Sequence, residues 1–323
     1  MPHTELKTTP TISVALGVVL RDNRVLVGWR DSALLLGGCW EFPGGKVKSN
    51  EAPEQAVVRE LKEELGLVIK ESDAEPLIEF EWFYDAQKYS FSVYTIKNCR
   101  GEPSSHFYKS LEWRTVSELK ASDFPPANRV IIKALSLPDR YLITPSLLDL
   151  NVLKQGLDIA FQSGISLAVF RSAELDSRTY IEYAHKLLSQ SPTWSNRLLI
   201  HNHPAQVDTL NAAGVQLSAK YAAKYHTRPL AEDKLLAVSC HNRIELEHAC
   251  RLEADFALLG PLKTTPSHPG EPPLGWETFR TLVKDATIPV YAIGGLQIAD
   301  LADCRTHGAQ GIAAIRNLWP LNL

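Results

Sequence analysis

Apolar and polar positions along the chain follow two successive rhythms. Residues 12–21 and 24–29 are apolar, β-branched runs separated by the turn signal Asp22-Asn23, which predicts a hairpin. Residues 56–65 hold strong helix formers with no internal glycine or proline, and Gly66 is placed as a C-cap. Val57, Val58, Leu61 and Leu65 fall on one side of that helix and predict a buried face. Stretches 76–84 and 88–97 alternate as paired antiparallel strands, 111–114 as a shorter strand, and 126–137 as a closing helix. The rhythm breaks at Leu137-Pro138-Asp139, so the chain divides into domains 1–137 and 138–323. Beyond the break, strand patterns at 141–145, 166–171, 197–202, 215–218, 235–239, 256–260, 289–294 and 311–315 alternate with amphipathic stretches at 147–162, 176–189, 243–253, 276–285 and 298–307. Eight such strands predict an eight-fold β/α barrel at the compact end for that fold. The fold class is α/β throughout.

Composition narrows this picture without redirecting it. A length of 323 residues with 45% hydrophobic content supports two domains with substantial cores. The net charge of −3 gives no bulk electrostatic ground for a nucleic-acid or membrane surface. Cys39, Cys99, Cys240, Cys250 and Cys304 are scattered and never form a CxxC pair, which fits a reducing cytoplasm and packing roles. The first ten residues lack the apolar core of a secretory signal, and no apolar run reaches about 18 residues, so a soluble cytoplasmic protein is expected.

The chemistry concentrates in residues 44–67, GGKVKSNEAPEQAVVRELKEELGL. Glu60, Glu63 and Glu64, at i, i+3 and i+4, share one helix face. Three carboxylates that close repel, an arrangement that makes sense with divalent cations between them, and hard oxygen ligands suit Mg²⁺ or Mn²⁺. Arg59 can pair with Glu63 one turn on. Charge alternation of this kind also occurs on plain solvated helices. The full run of Gly45, Glu51, Arg59, Glu60, Leu61, Glu63, Glu64, Gly66 and Leu67, however, has an accidental probability on the order of 10⁻⁹ per window. This segment resembles the Nudix box, with every fixed position filled, and the resemblance implies an α/β/α sandwich around a mixed sheet.

The likeness extends to the MutT-type 8-oxo-dGTP diphosphatases through WEFPGGK at 40–46, PEQAVVREL at 53–61 and DFPPAN at 123–128. It implies Arg59, Glu60, Glu63 and Glu64 as catalytic residues, and Gly44, Glu60, Glu63 and Glu64 as metal-holding ones. Arg30, Phe42 and Asn128 are implied as nucleotide-binding, Asn128 offering the donor and acceptor that a purine edge requires. The implied reaction cleaves an oxidised purine nucleoside triphosphate to monophosphate and pyrophosphate, a nucleotide-pool sanitation linked to DNA repair. One position departs from the pattern. A further glutamate is expected in the loop before the last strand, where SSHFYKSLEW offers His106, Phe107 and Tyr108, and Glu112 falls several residues away.

The barrel's active face is expected at the C-terminal strand ends, where Arg171, His201, Asn202, His203, His241, His268 and Gly294-Gly295 collect. The glycine pair would let backbone amides approach a phosphate, with Arg171 beside it. AVSCHNRIELEHA, ALLGPLKTTPSHPGEPPLGW and IPVYAIGG resemble the thiamine phosphate synthase and TenI group. The synthase aspartates that bind Mg²⁺ are replaced in LLIHNHP and VQLSAKY, a loop lysine is replaced by His268, and the lysine after Arg171 is missing. That argues against condensation. A TenI-type tautomerase needs only a phosphate pocket and proton transfer, for which His241 resembles the acid/base histidine. Two alternatives stand beside nucleotide sanitation: a Nudix domain acting on a thiamine-pathway diphosphate, or a barrel that senses a thiazole or pyrimidine phosphate without catalysis. A homodimer is compatible with each.

Overall fold

Alternation within single strands sorts the N-terminal side chains onto two faces. The structure is a computed structural model that describes residues 10–33, 37–105, 107–146, 149–265, 270 and 272–320. The expectations for the first nine residues, His106, the start of the 147–162 helix and His268 therefore lie outside the described residues. The chain separates into two units, Met1–Ser136 and Leu137–Leu323.

In the first unit a seven-stranded mixed sheet runs in the order β3-β2-β1-β6-β5, with β4 on β1 and β7 on β2. The strands are β1 (Ile12–Arg21), β2 (Arg24–Trp29), β3 (Trp40–Glu41), β4 (Gly44–Lys46), β5 (Ala74–Tyr84), β6 (Gln87–Ile96) and β7 (Ser110–Thr115). Among the described residues of this sheet, β1 and β6 pair in parallel and the other named strand pairs are antiparallel. Asp22 and Asn23 both take positive φ, as a tight hairpin turn between β1 and β2 requires.

Leu16 and Val18 of β1 meet α2 (Asn128–Ser136) through Val130, Ile131 and Ala134. Ala15 and Val19 turn the other way, onto Val57, Leu61 and Leu65 of α1 (Pro53–Leu65). The result is the α/β/α sandwich. A fully buried leucine such as Leu61 or Leu65 stabilises this packing by about 1.5–3 kcal/mol. Helix α1 starts three residues before the sequence pattern predicts, because Pro53 suits the first helical position and the Gln55 side chain accepts from the Ala52 N–H. It stops at Gly66, whose left-handed backbone returns an N–H to the Lys62 carbonyl.

The second unit is a closed parallel barrel, β10-β11-β12-β13-β14-β15-β8-β9. Its strands are β8 (Arg140–Ile143), β9 (Ala168–Phe170), β10 (Leu198–His201), β11 (Gly214–Leu217), β12 (Leu235–Cys240), β13 (Phe256–Leu259), β14 (Val290–Ile293) and β15 (Gly311–Ala314). Period-two alternation sends Tyr141, Val169, Leu199, Ala237, Phe256, Tyr291 and Ala313 inward, and their outward neighbours pack under the helices. Near the N-terminal strand ends, Tyr141, Phe256 and Tyr291 plug the interior edge to face, with centroids 5.0 and 5.3 Å apart around Phe256.

The outer helices are α3 (Leu150–Gln162), α4 (Ser177–Gln190), α5 (Ala219–Ala222), α6 (Arg243–Arg251), α7 (Gly275–Lys284) and α8 (Leu301–Thr306). Asp149, Asp176 and Asn242 cap α3, α4 and α6 through their side chains. Two barrel repeats are abbreviated: a single 3₁₀ turn at Pro204–Gln206 follows β10, and the four-residue α5 follows β11. Among the described residues no helix is long and apolar enough to cross a membrane.

Candidate active site

Each unit carries a cavity of its own. In the N-terminal unit a cleft of about 440 Å³ is bounded by Gly44, Gly45, Glu60 and Glu64 together with Arg30, Glu41, Phe42, Tyr84, Tyr89, Phe107 and Asn128. The structure thus brings two of the expected helix carboxylates, Glu60 and Glu64, onto the same cleft as Arg30, Phe42, Gly44 and Asn128. Glu63 does not line it. Its half-exposed carboxylate turns to Arg59 at 3.2 Å and Lys48 at 3.9 Å.

Helical spacing places Glu60 and Glu64 one turn apart above β4, and the glycines of β4 leave room for them. A Cβ on Gly45 would lie 2.5 Å from the Glu60 carboxyl carbon, so only glycine lets that carboxylate lie against the strand. Glu64 Oε2 accepts from the Gly44 N–H at 3.2 Å and from the Tyr108 hydroxyl at 3.0 Å. Burial drives the Glu64 pKa up to about 7, partly opposed by those two donors, and the nearby charges of Glu60 and Glu41 push it further up. Such a group favours a positive charge beside it.

Arg59 organises the helix's acidic face. It donates to Glu51 through Nε at 2.7 Å and Nη2 at 2.9 Å, and through Nη1 to Glu60 at 2.6 Å and Glu63 at 3.2 Å. Its Nη2 also reaches the Lys46 carbonyl. The Arg59 guanidinium, aided by the Lys48 N–H, holds the Glu51 carboxyl down at about 2. Glu51 is therefore the fixed anchor of the cluster.

Among the described residues no three His, Cys, Asp or Glu side chains converge to form a metal-binding group by themselves. Two carboxylates beside a polyphosphate are nevertheless what Mg²⁺ ordinarily uses, since it keeps several waters and takes substrate oxygens as ligands. The hard oxygen donors of Glu60 and Glu64 on one cleft, with the nearby carboxylates of Glu60 and Glu41 raising the Glu64 pKa, fit a divalent cation on that basis.

Elsewhere along the cleft Asn128 is 6% exposed and opens α2, its backbone N–H donating to the Pro125 carbonyl. Phe42 is 2% exposed and stacks on Phe124 at 5.5 Å. Arg30 pairs with Glu41 at 3.1 Å, while its buried Nε has no hydrogen-bond partner among the described residues. Burial raises the Glu41 pKa, with Arg30 opposing the rise.

Glu41 and Tyr108 carried no role in the sequence reading. Glu41 stands inside the WEFPGGK run, where a charge among apolar residues on a short strand was the available signal. Tyr108 stands in the loop where the pattern leads to a glutamate, but its contact with Glu64 joins residues 44 positions apart and left no local sign of its role. Glu112 sits on β7, paired with Arg114 at 2.9 Å and outside the cleft lining.

In the barrel a cavity of about 390 Å³ opens above the aromatic plug, lined by Arg171, His201, Gln216, Ser218, Ser239, His241, Gly294, Gly295 and Arg316 over an apolar floor of Ile143, Leu258, Ile293 and Ala313. No carboxylate is among the described lining residues. Gln216 is 2% exposed and bridges the barrel, accepting from the Tyr141 hydroxyl at 2.9 Å and donating to Ser239 at 3.1 Å. Gly294 and Gly295 both have positive φ, and a Cβ on Gly294 would strike Pro261 Cα at 2.7 Å.

The barrel histidines play unlike parts. His201 lines the cavity, and burial, reinforced by the Arg171 and His203 charges, lowers its pKa to about 4. His203 lies outside the lining, bonded to the His201 carbonyl at 2.7 Å and stacked on Tyr180. Asn202 turns its side-chain oxygen to the Ser218 N–H at 2.8 Å. His241 lines the cavity and contacts the Glu245 carboxylate through Nδ1 at 2.9 Å. The lining does not fit the Mg²⁺ of a diphosphate-condensing synthase, since hard carboxylate donors are missing from it and Asn202 is engaged in capping.

Comparison with known proteins agrees with both halves. The NUDIX domain family matches residues 14–134, and the Thiamine monophosphate synthase family matches residues 140–318. The 8-oxo-dGTP diphosphatase of Escherichia coli K12 is 32% identical over 125 residues, covering 38% of this chain and 95% of that protein. The 8-oxo-dGTP diphosphatase of Haemophilus influenzae is 34% identical over 125 residues, 38% of this chain and 90% of that protein. A putative thiamine-phosphate synthase of Geobacter sulfurreducens is 31% identical over 159 residues, 48% of this chain and 74% of that protein. With its box, its sandwich and its closed barrel, the chain belongs to the Nudix pyrophosphohydrolases through its N-terminal part and to the thiamine monophosphate synthase/TenI family through its C-terminal part, the two fused in one polypeptide.

Proposed function

We propose that the Nudix unit hydrolyses 8-oxo-dGTP, or a closely related oxidised purine nucleoside triphosphate, to the monophosphate and pyrophosphate. The observation that carries this reading is that one cleft is lined by the buried amide of Asn128 and by the carboxylates of Glu60 and Glu64. A purine edge needs a donor and an acceptor side by side, and a carboxamide supplies both. A polyphosphate needs concentrated positive charge, and a divalent cation such as Mg²⁺ held by Glu60 and Glu64 would supply it and help ionise a water.

The chain's own groups do the rest. Arg59, anchored on Glu51, steadies Glu60, and the Gly44 N–H and Tyr108 hydroxyl steady Glu64. Arg30, held by Glu41, lines the same cleft and places its positive charge beside the substrate. Phe42 and the neighbouring tyrosines give the base an aromatic surface. Water oxygen bonds to the β-phosphorus, the bond from that phosphorus to the α–β bridging oxygen breaks, and the nucleoside monophosphate leaves with the bridging oxygen, while the pyrophosphate product keeps the water oxygen and the released proton goes to solvent.

For the barrel, the carboxylate-free cavity with Arg171, Arg316 and the Gly294-Gly295 turn supports binding of a phosphate monoester of the thiamine-precursor type, with proton transfer at His241 oriented by Glu245. The five free cysteines suit a cytoplasmic setting for both activities.

The test is parallel incubation of full-length protein and Glu64→Gln with 8-oxo-dGTP, dGTP and hydroxymethylpyrimidine diphosphate in Mg²⁺. The reading expects the oxidised nucleotide to be cleaved fastest and the variant to lose at least about 100-fold in kcat. Cleavage of the pyrimidine diphosphate alone would favour the thiamine-pathway alternative.

A further inference from the structure

We propose that Tyr108 is a positioning residue for Glu64, fixing which carboxylate oxygen faces the cleft. This rests on the reading of Glu64 as a cation-holding residue. The Tyr108 hydroxyl and the Gly44 N–H both converge on Oε2 of Glu64, at 3.0 and 3.2 Å, and among the described residues no hydrogen bond is made to Oε1. One oxygen is thus committed to the protein and the other is presented to whatever enters the cleft. A half-buried carboxylate with one end held this way cannot rotate without breaking two hydrogen bonds.

The tyrosine is itself held on several sides. Its ring lies flat on β2 at Gly28, where a Cβ would come within 2.4 Å of the ring, so glycine at that position is the seat. Phe107 abuts the ring edge to face at 5.0 Å. Ser105 Oγ accepts from the Tyr108 N–H at 3.1 Å, and the Lys109 N–H donates to the Trp29 carbonyl at 3.0 Å, tying the loop to β2 on both flanks. The residue is 5% exposed. The loop in which the box pattern leads one to expect a glutamate therefore delivers a hydroxyl to Glu64, and Glu112 faces elsewhere.

Outer partners of metal ligands typically govern affinity by 10–100-fold. The experiment is Mn²⁺ titration of the full-length protein by electron paramagnetic resonance, without nucleotide, alongside the Mn²⁺ dependence of turnover and the melting temperature. Variants are Tyr108→Phe, Glu64→Gln and Glu112→Gln. The proposal expects Tyr108→Phe to raise the Mn²⁺ dissociation constant about tenfold, with kcat recovering at high Mn²⁺ and nucleotide KM unchanged. Glu112→Gln should match wild type. If Tyr108→Phe shifts only the melting temperature, or nothing, while Glu64→Gln loses Mn²⁺ and turnover, Tyr108 merely packs and the proposal is overturned. If Glu64→Gln itself binds Mn²⁺ and turns over like wild type, the reading of the site fails first, and the tyrosine has no ligand to position.

Discussion

Arg59 holds Glu51 by a two-pronged ion pair, Nε to one carboxylate oxygen at 2.7 Å and Nη2 to the other at 2.9 Å. Glu51 precedes α1 and Arg59 lies within it, so the pair ties the approach loop to the helix and aims the remaining guanidinium nitrogen at Glu60. Removing the anchor frees Arg59 to neutralise Glu60 and Glu63 itself, in competition with a cation. Glu51→Gln is expected to weaken metal activation several-fold, read as a rightward shift of rate against Mg²⁺ concentration.

The same pair sets an acid limit. The Glu51 carboxyl titrates at about 2 in the folded chain against an ordinary 4.5, so its contribution to stability is full above about 4.5 and is lost as pH falls toward 2. Thermal melts of wild type and Glu51→Gln between pH 2 and 7 should show the wild-type advantage at the upper end and convergence at the lower.

Gly45→Ala tests the close approach of β4 to Glu60. The added methyl meets the far end of a flexible side chain at 2.5 Å, so the carboxylate moves and the fold does not. A fall of about 100-fold in kcat is expected with little change in melting temperature, because misplacing a reacting-site group by about 1 Å costs on that order.

In the barrel, His201 should titrate near 4, as burial and the Arg171 and His203 charges disfavour its protonated form. Nuclear magnetic resonance of the ring protons would show that midpoint. By linkage its contribution to stability is complete above the unfolded value of about 6.5 and declines as pH drops from there toward 4. His201→Gln should remove that part of the acid sensitivity.

Gly294→Val should abolish binding of a phosphate monoester in the barrel cavity, measured by isothermal titration. Positive φ penalises the β-branched residue, and its Cβ would meet Pro261 Cα at 2.7 Å.

Much of the fold was legible because it is written in periodicities. The alternation along β1 separates Leu16 and Val18 from Ala15 and Val19, and that separation is the sandwich. Eight apolar runs gave the closed barrel, though not its abbreviated repeats, since the 3₁₀ turn at Pro204–Gln206 and the short α5 leave no helical period to read.

The site was legible where its residues are neighbours on one helix. Glu60 and Glu64 share the cleft as their spacing implies. Glu63 shares the helix face, yet its carboxylate follows Arg59 and Lys48, a choice made by charges that spacing does not weigh. Tyr108 reaches Glu64 across the sheet and Glu41 acts on it through its charge, relationships that no local pattern encodes.

The most direct test of the account compares kcat/KM for 8-oxo-dGTP and dGTP in wild type and Asn128→Ala. Losing one buried hydrogen-bonding group is worth about 1–3 kcal/mol, so the wild-type preference for the oxidised base should fall roughly 10- to 100-fold in the variant while dGTP cleavage changes little. An equal preference in both proteins, or equal rates on both nucleotides in wild type, would contradict it.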